Sequence, residues 1–484
     1  MAPSIIKIFS TATMCLILSA CTVGPNYVKP EMKTPVAYKE TGEWKVAEPR
    51  DHLNRGAWWE VFNDPQLSAL EEQVDISNQN LVAAEAQYRQ ALALVKVARA
   101  GYFPVLNAGA SASRSQTPGS TGSSGAGGTR SGSSSNVSSD FNFSGSASWD
   151  LDLWGKVRRS VEAGKASAQA SAADLEGVRL AAQVQVAQAY FQLRALDAQK
   201  KLLDETAEGY RNFLQITKNR YETGVAARSD VLQAETQYKT TQTQSIDTGV
   251  QRAQLEHAIA LLIGKSPVEL TIPYAPLNAL PPAAPASIPS ELLERRPDIA
   301  SAERQAAAAN ARIGVAEAAY YPTISLSASG GFEASNIAKW FTWPSSFWTL
   351  GPALLQQTIL DGGLRRAQAE QARAAYDQTV AAYRQTVLTG FQQVEDNLAA
   401  LRILEQEAGA QEEAVKAALQ SLDVTINRYK SGVASALDVI ITQTIALNNQ
   451  LSAVSIMGRR MTASVLLIDA LGGGWKAGDL PQIQ

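Results

Sequence analysis

Histidine is almost absent from this 484-residue chain, which holds only His52 and His257. A zinc site of spaced His ligands and a Ser-His-Asp constellation both lack the residues they need. His257 sits in the apolar helix end "LEHAIALLIG" and reads as a packing or surface residue. Cysteine is as scarce, at Cys15 and Cys21, and Cys15 lies in a leader that is removed. The one thiol position left forms no intrachain disulfide, so stability has to come from packing. Net charge is −3 and the basic residues form no dense cluster, which argues against nucleic acid as a partner. Beyond the leader there is no run of about 18 apolar residues, so no transmembrane helix is expected. To cross a membrane, such a chain would need strands in a closed barrel, because lipid offers no partner to an open sheet edge. With no catalytic set, metal ligands or cofactor motif in view, the sequence reads as a non-enzyme.

What is present begins with the leader. Residues 1–20 combine Lys7 with an apolar core too short to span a bilayer, "IIKIFSTATMCLILSA", and end in small residues. The end, "LSAC", Leu18 to Cys21, resembles the lipobox of bacterial lipoproteins. That resemblance implies cleavage before Cys21 and acyl chains on it, and Thr22 in place of Asp implies sorting to an outer membrane.

The chain is also written twice. "NRYETGVAARSDV" (Asn219–Val231) matches "NRYKSGVASALDV" (Asn427–Val439) at a spacing of 208, which also carries "LIGK", with Gly264, onto "ALGG", with Gly472. Upstream, "ARAGYFPVLNAGASAS" from Ala98 is echoed by "AEAAYYPTISLSASGG" from Ala316, and "WGKVRRSVEAGKA" from Trp154 by "DGGLRRAQAEQAR" from Asp361. The echoes keep one order, so a structural unit has been duplicated in tandem. Each unit opens with a helix: in "NDPQLSALEEQV" Asp64 suits an N-cap and Pro65 the first helical position, and Pro297 opens the second unit. Each helix stops at an aromatic-aromatic-Pro step, Tyr102-Phe103-Pro104 or Tyr320-Tyr321-Pro322. Two alternating segments follow, then a long Ala- and Gln-rich helix, a turn at a Gly-Val step and a helix coming back.

From Phe141 to Leu153 every second residue is apolar or small and those between are Asn, Ser or Asp, the period of a strand with two unlike faces. Leu106–Ala112 and Ile324–Ala328 alternate likewise, and "FWTLGPALLQQTIL" supplies a fourth, less regular segment around Pro352. Four strands per chain in two hairpins are expected, the first joined by a Gly/Ser tract that cannot bury a core. Strands of about thirteen residues exceed the roughly 9–11 that cross a bilayer, but four cannot close, since single-chain barrels begin at about eight. Several chains giving four each would close one, with Phe141, Phe143 and Trp149 facing lipid and the polar residues facing water. Trp149 and Trp154 would anchor at the interface, with Asp150 and Asp152 either colouring the lumen or marking the membrane edge. No Pro interrupts Lys156–Arg220, so a single helix there would span about 95 Å. Leu175, Ala182, Ala189, Leu196 and Leu203 recur along it at every seventh position, a packing seam.

"CTVGPNYVKP", "WWEVFNDPQL", "RRPDIASAERQAAAANARIGVAEAAYYPTISLS", "LDGGLRRAQ" and the paired "RY..GV....DV" turns resemble the TolC-like outer membrane efflux family, in its lipoprotein branch of NodT or OprM type. The resemblance covers essentially the whole mature chain. It implies an α+β membrane protein, a homotrimer with one 12-stranded β-barrel, four strands per chain, continued by a long α-helical periplasmic barrel. It divides the chain into a signal peptide at 1–20, a lipidated N-terminal and equatorial part at 21–63, a first efflux repeat at 64–265, a Pro-rich connector at 266–296, a second repeat at 297–473 and a tail at 474–484. The implied role is a passive exit duct for drugs or other small molecules. Its implied partners are a periplasmic adaptor (membrane fusion protein), an inner-membrane pump of the RND or another class, and outer membrane lipid. Two other readings stay open here: a type I protein-secretion duct, and a lipid-anchored periplasmic adaptor or coiled-coil lipoprotein, which would normally show one helical hairpin rather than two.

Arg220, Tyr221, Gly224, Val225 and Asp230 reappear as Arg428, Tyr429, Gly432, Val433 and Asp438. From the residues alone, Gly lets the backbone reverse, Tyr and Val pack, and each Asp favours the start of the returning helix. The resemblance implies that the turns form the periplasmic tip, as aperture and adaptor contact. Three copies of Asp438 would then ring the opening, while Arg428 and Tyr429 hold the closed state. Many members of the family carry a second acid three residues on; here it is Ile441, so the ring would be single.

Overall fold

A computed structural model describes residues 22–32, 39, 57–117, 136–277, 281–282, 295–475, 478 and 480–483. The leader, Cys21, His52, most of the Gly/Ser tract and much of the Pro-rich connector lie outside the described residues.

The first half runs α1 (Pro65–Ser77), α2 (Gln79–Ala100), β1 (Val105–Thr117), β2 (Asn136–Asp150), α3 (Lys156–Glu222) and α4 (Arg228–Leu262). The second runs α5 (Pro297–Ala318), β3 (Thr323–Ala334), β4 (Ser346–Leu350), β5 (Leu354–Gln356), α6 (Leu364–Lys430) and α7 (Ala436–Ala470). The duplication holds to the residue: α2 and α5 have 22 residues each, α3 and α6 have 67, and α4 and α7 have 35.

Two expectations need correction. The opening helix of the first half is two helices, because Asn78 is extended, at φ −65° and ψ 120°. Its Oδ1 accepts from the N–H groups of Asn80 and Leu81, at 2.9 and 3.0 Å, so it ends α1 and caps α2. The fourth strand is likewise two. Phe332 pairs with Ser346 and Ala328 with Leu350, but Ser325 pairs with Leu354 and Thr323 with Gln356, a slip of one residue. Gly351, at φ 108°, and Pro352, which has no N–H, occupy the slip. The slip moves the apolar face from even to odd positions, so Leu350 and Leu355 share a face and the alternation reads as irregular. The sheet order is β1-β2-β3-β4, with β5 also on β3, all antiparallel.

The chain forms two compact units. One comprises Met1–Lys29, Ala91–Ser167 and Ala306–Thr379 and carries the sheet; the other comprises Pro30–Gln90, Ala168–Gln305 and Val380–Gln484. In the first, α3 and α5 meet through Ala166, Ala307 and Ala308, with Tyr27 against them. Buried Arg159 donates to the carbonyls of Val23 and Gly24, at 3.2 and 3.0 Å, and so pins the N-terminal segment to α3. The second unit has the larger core, in which Trp58, Phe62, Leu67 and Val74 meet Tyr190, Phe191, Met461 and Val465. The described part of the connector is strapped onto α3 and α4: Arg194 donates to Pro273 O and Arg252 to Ile272 O, at 2.7 Å each. Asp197, fully buried, takes both guanidinium groups. Along the expected seam of α3, Ala182, Ala189 and Leu203 are buried, while Leu175 and Leu196 are half-buried. Although α7 holds no unbroken apolar run, it is by length and composition apolar enough to cross a membrane. Its Ile440, Met461 and Leu467 instead pack in three separate cores.

A joint recurs in both halves of that second unit. Asn78 Nδ2 donates to Leu262 O at 2.6 Å, and at the equivalent position Arg296 Nη1 donates to Ala470 O at 3.0 Å. Gly264 and Gly472 follow those helix ends, at φ +69° and +90°, and a Cβ on either would lie 1.9 Å from the carbonyl oxygen of Ser77 or of Arg295. Arg296 also pairs with Asp298 and reaches Gln393, so the Arg-Pro-Asp stretch joins α5, α6 and α7.

Glu71, on the core face of α1, is fully buried, and neither oxygen has a hydrogen-bond partner among the described residues. Burial, reinforced by the charge of Asp75, pushes its carboxyl well above the usual range, so the fold favours its protonated form. The unfolded chain releases that proton at lower pH, so this group's contribution to stability falls as pH rises from the ordinary carboxylate range toward the raised value. Glu71→Gln keeps the shape without the charge. Its unfolding midpoint should match the wild type near about pH 5 and exceed it near about pH 8. A lower midpoint at both would contradict this.

Candidate functional site: the paired helical turns

The turns between α3 and α4 and between α6 and α7 have the same length and the same backbone hydrogen bonds. Val225 and Ala226 donate to Arg220 O at 2.8 and 3.1 Å; Val433 and Ala434 donate to Arg428 O at 2.9 and 3.3 Å. Gly224 and Gly432 take the left-handed position, at φ 77° and 79°. A Cβ there would meet nothing within 4 Å, so glycine is required by conformation and not by space.

Asp230 and Asp438 occupy the third position of the returning helices. The N–H and the hydroxyl of Ser435 each donate to Asp438 Oδ2 at 2.8 Å, and Ser435 Oγ accepts from the Asp438 N–H at 3.2 Å, a complete capping box. The first turn has Ala227 at the cap, which offers no side-chain acceptor, so the Asp230 N–H donates to Ala227 O at 3.1 Å instead and the Ala227 N–H donates to Asp230 Oδ2 at 3.3 Å. The Ser435 N–H above all, then its hydroxyl, with Arg428 adding its charge, hold the Asp438 carboxyl below the usual range. Asp438 is exposed, so it presents a full negative charge at neutral pH.

The two turns share one core, in which Phe213 and Leu214 of the first half meet Tyr429, Val439 and Ile440 of the second. The Arg220 guanidinium lies 4.4 Å over the Tyr429 ring and donates from Nη2 to Lys430 O at 3.1 Å. Tyr429 is 6% exposed, whereas its counterpart Tyr221 is 46% exposed. The structure therefore brings Arg220 and Tyr429 together and leaves Tyr221, Val225, Arg428 and Val433 on the surface. Sequence reasoning named Ile441 only as the position of a missing acid, and missed that it forms an exposed apolar row with Leu437 and Ile445 beside Asp438. Their spacing of four on a helix was the signal available for them.

On β2, Phe141, Phe143 and Trp149 share one face; Trp149 Nε1 donates to Tyr102 O at 3.0 Å. Trp154 donates to Pro322 O at 2.7 Å and stacks on Tyr321. Asp150 accepts from the Ser325 hydroxyl. Asp152 has a structural role that neither expectation named: its carboxylate caps α3, taking the N–H groups of Val157 and Arg158 at 2.8 and 2.9 Å. Asp361 takes the N–H groups of Gly363 and Arg365 at the start of α6, at 3.0 and 3.3 Å, and pairs with the Arg365 side chain at 2.6 Å. Among the described residues no group of three or more His, Cys, Asp or Glu could hold a metal ion.

The chain matches the model of the outer membrane efflux protein family over residues 70–265 and 288–473. It is 32% identical over 472 residues to the pyoverdine export outer membrane protein OpmQ of Pseudomonas aeruginosa, covering 97% of this chain and 98% of that relative. To nodulation protein T of Rhizobium leguminosarum bv. trifolii it is 30% identical over 476 residues, covering 96% and 97%. Among solved structures, the open state of the MtrE outer membrane channel of Neisseria gonorrhoeae aligns with a TM-score of 0.79 at 27% identity, covering 96% of this chain and 100% of that one. Both repeats lie inside these matches, and the chain belongs to the outer membrane efflux protein family.

Proposed function

We propose that the protein is the exit duct of a tripartite exporter, conducting drugs or other small molecules passively from a periplasmic adaptor and an inner-membrane pump to the exterior. The observation that carries this reading is the duplicated unit of membrane-length strands and long helical hairpin. Inside the chain, β2 of one half pairs with β3 of the other, from Phe141 with Ala334 to Asp150 with Ser325. By the repeat, β1 corresponds to β3, and β4 with β5 to β2. The same pairing made between copies joins β4 and β5 of one chain to β1 of the next, a head-to-tail contact that closes into a ring. Three copies give twelve strands, within the range of closed barrels. Acyl chains on Cys21 would tether each chain to the membrane.

At the tip, three copies of Asp438 would draw cations and repel anions. The contact of Arg220 with Tyr429, together with Arg428, would favour the closed aperture until an adaptor that prefers the open state binds. Cells lacking the protein should retain a fluorescent amphiphile several-fold more than the wild type, and the wild-type chain should restore its efflux. Unchanged retention together with loss of a secreted protein from the medium would identify a type I secretion duct instead.

A further inference from the structure

The connection between β3 and β4, residues 335–345, does not arch away from the sheet. Register places Phe141, Phe143 and Trp149 of β2 on the same face as Leu326 and Phe332 of β3, while Ser144, Ser146 and Ser148 occupy the other. The Trp340 ring lies 5.6 Å from Phe141, and the Phe341 ring lies 5.8 Å from Phe143 and 5.7 Å from Phe332. The loop has therefore folded back over the apolar face. Several of its polar groups are met from within: Lys339 O accepts from the hydroxyls of Thr342 and Ser345 at 2.8 Å each, and Asn336 Oδ1 accepts from the Ala338 N–H at 2.9 Å, while the buried Trp340 Nε1 has no hydrogen-bond partner among the described residues. Much of its apolar surface nevertheless stays open. Ile337, Phe341 and Trp343 are 65%, 64% and 86% exposed, and Trp348, on the same face of β4, is 82% exposed. Such a surface is unsuited to water, and an open apolar patch of this kind marks a partner.

The level of the loop identifies that partner. The β2·β3 pairing stops at Phe141 with Ala334, and beyond it only β1 and β2 continue. From Phe141 to Trp149 and Asp150 at the other end of that pairing is about 31 Å along the strand, or about 23 Å at a tilt of roughly 40°. That is close to the height of about 25 Å expected for a lipid-facing band with an aromatic girdle at each rim. We infer that residues 335–345 form a collar that binds the lipid surface at the outer rim of the barrel. Acyl chains pack on Trp343, Phe341 and Trp348, and Lys339 stands beside anionic headgroup phosphates. This holds only if the sheet lies in the membrane as proposed above, with its polar face inward.

The test uses tryptophan emission of the full chain reconstituted in vesicles of phosphatidylethanolamine and phosphatidylglycerol with brominated acyl chains, set against iodide in the water. The emission lost in Trp343→Phe should be emission that brominated chains quench and iodide does not; Trp348→Phe provides the same readout if the first variant folds poorly. Trp149→Phe reports on the strand itself. Lipid quenching of Trp149 but iodide quenching of Trp343 and Trp348 would overturn the collar and keep the membrane strand. Iodide quenching of all three would overturn the membrane placement of the sheet, and the collar with it.

Discussion

Gly264→Ala and Gly472→Ala should each abolish accumulation of the folded protein in the outer membrane fraction. Each glycine is in the left-handed region, which costs an alanine about 1 kcal/mol or more. Conformation alone would be tolerable, but the added Cβ would also lie 1.9 Å from the carbonyl oxygen of Ser77 or of Arg295. That carbonyl has little room to retreat. On the first side the Ser77 hydroxyl donates to Ile263 O at 2.5 Å and Asn78 to Leu262 O at 2.6 Å; on the second Arg296 is fixed by Ala470, Gln393 and Asp298. Strain and overlap together place the loss in the exceptional class, above about 4 kcal/mol. Gly224→Ala and Gly432→Ala are the controls, with a similar φ and open space around the Cβ, and they should cost only about 1–2 kcal/mol. Recovery from the membrane and unfolding midpoints check the comparison. A Gly264→Ala protein as stable as Gly224→Ala would show that the joint is soft.

The second large effect is functional. Tyr429→Ala removes a buried ring held between Arg220 and Phe213, whose ring centroid is 5.2 Å away, and takes away the surface on which the two turns meet. Truncating a buried aromatic costs about 3–5 kcal/mol, here concentrated in the core that the two turns share. Cells carrying the variant should become several-fold more susceptible to a hydrophilic antibiotic too large for ordinary porins. Arg220→Ala should act in the same direction, and the double variant should be little worse than Tyr429→Ala, because both remove one contact. Arg220→Lys should behave more like Arg220→Ala than like the wild type, since an ammonium lacks the planar face that lies on the ring. Fully additive effects, or none from Tyr429→Ala, would separate the contact from closure.

The parts of this fold that sequence made legible are those governed by local rules. Asp64 and Pro65 open α1 as their types require, with Asp64 Oδ1 taking the N–H groups of Gln66 and Leu67. The repeat predicted paired helices, whose lengths agree to the residue because one backbone plan is used twice. What stayed hidden depended on partners distant in sequence. Asn78 breaks a helix through a cap and a bond to a carbonyl 184 residues away. The slip at Gly351 and Pro352 shows only in pairing with β3. The turns read as equals, yet Tyr429 is buried under Arg220 and against Phe213 while Tyr221 stands out. Trp340 and Phe341 gave no period to read, and their place against Phe141 and Phe143 emerges only when the loop folds back.

The most direct test of the duct is the single-channel current of the purified, detergent-extracted protein in planar bilayers, wild type beside Asp438→Ala and Tyr429→Ala. Expected are a small, cation-preferring current in the wild type, a weaker preference once the exposed carboxylate of Asp438 is gone, and a larger current once the contact between the two turns is loosened. Unchanged selectivity in Asp438→Ala would remove the acidic ring and leave the duct. Protein that inserts and passes no current even with Tyr429→Ala, or that does not insert at all, would contradict the duct itself.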